Sequence, residues 1–123
     1  MSKNVNGRIN VSPASRRIPT VEKAQRALLK QLVAMAKTEG WEGTIDVDYF
    51  DEEAGAFSPL IVELFPRDDS NRPKHVEVAH VYPVSLDAKG RVTKDEAEMA
   101  VDSIVEETPN IVYWVRKTMK GEF

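Results

Sequence analysis

Between residues 20 and 50 the spacing of apolar residues switches from three-and-four to two, and few architectures accommodate that switch. Val21, Ala24, Leu28, Leu32, Met35 and Ala36 recur in helical steps and define one apolar face. Thr20, just after Pro19, reads as the N-cap, and Gly40 and Gly43 as the end, with Trp41 between them as a plug under the helix. Thr44–Phe50 then alternates, with Ile45, Val47 and Tyr49 on one side and Asp46 and Asp48 on the other. That is the pattern of a half-buried strand whose aspartates face solvent. A helix feeding an antiparallel sheet is the expected start.

The rest of the chain extends this plan. Asp51–Ala56 reads as a loop, and Phe57–Phe65 as a second strand rich in bulky apolar residues. Pro66–Pro73 is a polar loop bounded by prolines. His75–Tyr82 reads as a third strand, with Val76, Val78, His80 and Tyr82 along one face. After a turn at Asp87–Gly90, Thr93 with Glu96 three residues on forms a capping box opening a second helix. Its apolar face is Ala97, Ala100, Val101 and Ile104.

Pro109 lacks an N–H and clashes one turn back, so the second helix is expected to kink or split there. Ile111–Val115 is open between two readings. Its composition favours a strand, whereas Thr108 as N-cap, Pro109 at N1 and Lys117 and Lys120 before Gly121 tip the balance to a short helix. The fold class is therefore α+β: an N-terminal helix, a three-stranded antiparallel meander, and a C-terminal helix kinked or split at Pro109, packed on one sheet face. The predicted core includes Leu28, Leu32, Ile45, Val47, Tyr49, Val62, Val101 and Ile104.

Residues 1–19 show no sustained period and read as a flexible basic arm, with Arg8–Ser12 able to add a short edge strand; residues 20–123 form one α+β domain. At 13.8 kDa such a domain buries about two-thirds of its unfolded surface, enough for a core without staples. The chain has no cysteine, which excludes disulfides, thiolate nucleophiles and cysteine zinc sites. It has no apolar run of membrane-spanning length and no signal-peptide pattern, so a cytoplasmic location without membrane association is expected.

Catalytic signatures are absent. No serine lies in a G-x-S-x-G or S-x-x-K context, and there is no glycine-rich phosphate loop. Asp46, Asp48, Asp51, Glu52 and Glu53 cluster, but Phe50 and Asp51 stand where an EF-hand needs Asp or Asn and glycine. His75 and His80, five apart, fall on opposite faces of a regular strand and cannot share a metal without a bulge between them. His80 reads as a semi-buried structural histidine. Neither metal nor cofactor is expected, and the chain reads as non-catalytic.

Charge, by contrast, is segregated. Residues 1–20 hold Lys3, Arg8, Arg16 and Arg17 and no acid; residues 41–64 hold seven acids and no base. On the first helix Lys23, Arg26, Lys30 and Lys37 fall within about 60° of one another at 100° per residue, nearly opposite the apolar face. Ala27 and Ala34 lie among them and allow close approach of a partner. On the second helix Asp95, Glu98, Asp102 and Glu106 form an acidic stripe, again opposite the apolar face. Mixed signs would be expected if these charges served pairing within a helix. Tyr113 and Trp114 cannot both face inward and, with Arg116 and Lys117 nearby, resemble interface anchors.

Two functions follow from this pattern. The first is a regulator, adaptor or inhibitor that docks to another protein, its acidic residues Asp46, Asp48, Asp95, Glu98, Asp102 and Glu106 competing for a basic nucleic-acid-binding partner. The second is direct nucleic-acid binding through Arg16, Arg17, Lys23, Arg26, Lys30 and Lys37. Homo-oligomerisation is left open.

Overall fold

The computed structural model describes residues 5–11, 18–52, 56–67, 76–80, 84–85 and 93–121. Among them the order is β1 (Val5–Val11), α1 (Pro19–Thr38), β2 (Gly43–Glu52), β3 (Ala56–Pro66), β4 (Val76–His80), β5 (Val84–Ser85) and α2 (Lys94–Met119). The sheet runs β1-β2-β3-β4, with β5 following β4 along the same edge of β3. Both helices pack against one sheet face, giving a two-layer α+β domain. The three-stranded antiparallel meander is thus only part of the sheet. A fourth strand, β1, joins it, and β1 pairs with β2 in parallel.

That strand comes from the segment expected to be a flexible arm. Its alternation is real: Val5, Gly7, Ile9 and Val11 take one parity and Asn6, Arg8 and Asn10 the other. Glycine at an apolar position hides the pattern, and packing explains the glycine. A Cβ on Gly7 would sit 2.7 Å from Val33 Cγ2 and 2.9 Å from Leu29 Cδ1, so the missing side chain is what lets α1 lie close over β1. A parallel pair requires a crossover, and α1 supplies it.

Helix α1 buries Val21, Leu28, Leu32, Met35 and Ala36 as its spacing predicts. Its start differs by a residue or two. Pro19 occupies the first helical position, Ile18 is the N-cap without a side-chain hydrogen bond, and Thr20 lies inside the first turn. Its end is a Schellman motif: Gly40 N–H donates to the Lys37 carbonyl at 3.1 Å and Trp41 N–H to the Ala36 carbonyl at 3.0 Å. Gly40 takes the positive φ of +71° this geometry needs. Trp41 is half-buried against the core, as a plug should be. Gln25 is fully buried at the centre of the apolar face, a polar residue that periodicity alone passes over.

Helix α2 is continuous from Lys94 to Met119, so it neither stops nor splits at Pro109. Pro109 lies on the exposed side, and the carbonyl deprived of its donor belongs to exposed Val105, where water can serve it. Thr108 Oγ1 adds a hydrogen bond to the Ile104 carbonyl at 2.7 Å. Ile111 and Val115, four apart, are both buried, so helical period overrides strand-forming composition there. At the start, Thr93 Oγ1 accepts from Glu96 N–H at 3.1 Å, the N-cap bond that the capping signature predicts. Glu39 at the end of α1 bridges Arg116 Nε at 3.4 Å and Lys120 Nζ at 3.6 Å, tying the C-terminal ends of the two helices together.

Between the layers, Ile45, Val47, Leu60, Val62 and Leu64 meet the helix residues above together with Ala100 and Ile104. Val101 is partly rather than fully buried. The β3–β4 register shifts between Val62 and Glu63, which breaks the two-residue period expected to carry Val76, Val78 and His80 along one face. Val76 is exposed. The side chains of Tyr49 and His80 lie outside the described residues, as do His75, Tyr82 and the Asp87–Gly90 turn.

Candidate functional site

The open face of the sheet corrects one expectation directly. Asp46 is not a solvent-facing docking residue; it is 2% exposed. The register sets Arg8, Asp46, Glu63 and Glu77 in one row across four strands. Arg8 Nε donates to Asp46 Oδ1 at 2.6 Å and Nη2 to Oδ2 at 3.1 Å, a bidentate fork that covers the carboxylate. The guanidinium also lies 5.9 Å from the centroid of the Phe65 ring. Alternation places Asp46 on the non-core face, but only the pairing of β1 with β2 brings the cation over it. The Asp48 side chain lies outside the described residues.

This pair is structural, and its removal has a predicted cost. Arg8 is 59% exposed, so the penalty is smaller than for a fully buried pair. Arg8→Ala strips the fork from a buried carboxylate and is expected to lose about 1–3 kcal/mol in urea unfolding. Arg8→Lys, which keeps the charge but not the fork, should recover only part of it. An Arg8→Ala protein as stable as the parent would show that the pair contributes nothing.

The outward face of α2 keeps its predicted charge. Asp95, Glu98, Asp102 and Glu106 are all exposed, and none has an ion-pair partner among the described residues. The same helix exposes large apolar side chains: Met99, Val105, Tyr113 and Trp114, the last two at 49% and 54%. Tyr113 and Trp114 meet edge to face at 5.2 Å, and Lys117 Nζ sits 5.2 Å from the Tyr113 centroid. Both aromatics face outward, where at least one was required to.

The basic stripe of α1 has a neighbour that angular spacing alone does not reveal. Arg26, Lys30 and Lys37 are exposed, without ion-pair partners among the described residues, and they line one wall of an open groove of about 710 Å³ between α1 and β1. Its other lining includes Gly7, Ile9, Leu29 and Val33. Ala34, one of the two small residues expected to admit a partner, also lines it. Lys23 is exposed on the same stripe, whereas Arg16 and Arg17 lie outside the described residues. Among the described residues no group of three His, Cys, Asp or Glu side chains is placed to hold a metal, and no helix is long and apolar enough to cross a membrane.

No protein-family model, curated protein or solved structure matches this chain.

Proposed function

We propose that this protein is a non-catalytic interaction protein, a regulator, adaptor or inhibitor, whose α2 docks on a basic surface of another protein and competes there for nucleic acid. The observation that carries the reading is the composition of the outward α2 face. Four carboxylates without ion-pair partners among the described residues share it with exposed Met99, Val105, Tyr113 and Trp114. Carboxylates would steer a basic partner, and large apolar and aromatic side chains give a protein interface its anchors.

The test is affinity capture from native extract before and after nuclease treatment, repeated with Glu98, Asp102 and Glu106 changed to Lys. Asp95 stays because it lies in the first turn, where an acid stabilises the helix dipole. The three changes are on exposed positions and should each move stability by no more than about 0.5 kcal/mol. A partner retained through nuclease and lost in the variant supports the reading. The second reading, nucleic-acid binding through Arg16, Arg17, Lys23, Arg26, Lys30 and Lys37, is favoured by the exposed cations of α1, which have no ion-pair partner among the described residues. Under that reading nuclease removes the partner, the acidic variant still binds, and log affinity falls with log salt by roughly 0.9 per duplex phosphate contact.

A further inference from the structure

We infer that the groove between β1 and α1 is a second docking site, which takes an acidic extended peptide segment of a partner protein as an added strand on β1. Three observations converge on this occupant. First, β1 is the terminal strand of the sheet, and among the described residues no strand pairs with its outer edge. A strand edge presents N–H and C=O groups to any extended chain beside it. Second, the groove is lined on its β1 side by Gly7, Arg8 and Ile9 and on its helix side by the apolar Leu29 and Val33 as well as by cations. Third, its helical wall carries three cations and no acid.

Their spacing fits a strand. Arg26 to Lys30 advances about 6 Å along the helix, close to the roughly 6.6 Å between alternate residues of a strand. Arg26 to Lys37 covers about 16 Å, within the roughly 23 Å of a seven-residue strand. Alternate side chains on one face of an added strand would therefore match Arg26 and Lys30 directly, and the longer step of about 10.5 Å to Lys37 falls between one and two such intervals, within reach of a flexible lysine, which calls for acids at alternate positions. A nucleic acid fits less well, because among the described residues that line the groove there is no aromatic ring on which a base could stack.

The site lies on α1 and β1 and does not use the α2 face, so the two proposals fail separately. The experiment selects binders from displayed heptapeptides with Glu at alternate positions and random residues between. The best is then measured by fluorescence anisotropy against the full chain. Arg26, Lys30 and Lys37 changed together to Glu should weaken binding at least about tenfold, which three rim ion pairs suffice to supply. The Glu98, Asp102 and Glu106 to Lys variant should bind the peptide as the parent does. N-methylation of one alternate set of peptide amides should abolish binding, while the other set is tolerated, since only one set faces β1. Failure to select any peptide would overturn the proposal. So would indifference to the three-cation variant, or equal sensitivity to both methylated sets. Tighter binding of a single-stranded oligonucleotide at the same cations would give the groove to nucleic acid instead.

Discussion

Gly43→Ala is expected to cost about 2–6 kcal/mol, a large part of the stability of an ordinary domain. Two penalties combine. Gly43 has a φ of +149°, a conformation that side-chain-bearing residues rarely adopt. An added Cβ would also collide with the Phe65 carbonyl oxygen and fall 2.5 Å from Trp41 Cη2. The carbonyl belongs to β3 beside the Gly43–Pro66 pairing, so the new atom could be accommodated only by both parting β2 from β3 and displacing the half-buried Trp41. Urea unfolding measures the effect. A loss under about 1 kcal/mol would mean that the Trp41 ring swings aside and the strand ends separate freely.

Leu32→Ala is the second large effect, at about 2–5 kcal/mol. Leu32 is fully buried between the helix layer and the sheet, and truncating it leaves a cavity whose lining cannot all collapse. Lys30→Ala, two residues away on the groove side, is the matched control and should stay within about 0.5 kcal/mol. Similar losses at the two positions would show α1 to be rotated from its stated phase.

Much of this architecture is legible in local pattern. The phase of α1, the inward Ile45 and Val47, and the Thr93 cap follow from spacing and capping chemistry, because each depends on near neighbours in the chain. What escapes depends on distant residues. Gly7 looks like a break in the alternation until Leu29 and Val33 are seen to occupy the space of its side chain. Asp46 looks solvated because its cation lies 38 residues earlier. Pro109 looks like a helix end because the cost of its missing N–H depends on whether Val105 is exposed. The candidate surfaces divide the same way. The α2 stripe is visible from its angular positions, whereas the groove requires knowing that β1 lies beside Arg26, Lys30 and Lys37.

The parallel pairing of β1 with β2 also sets an order of assembly. Residues 12–42 separate these strands, whereas only residues 53–55 separate β2 from β3. Closing a loop of about thirty residues rather than about three costs roughly 2 kcal/mol more in chain entropy. The β2–β3 hairpin is therefore the natural seed, and β1 joins a sheet already begun. During synthesis β1 leaves the ribosome before the strand it pairs with, and it must wait, unpaired, while α1 and β2 are made. The groove and the Arg8–Asp46 fork both depend on that docking. Neither exists before β2 has been made and β1 has docked on it, so both report that the parallel pair has formed.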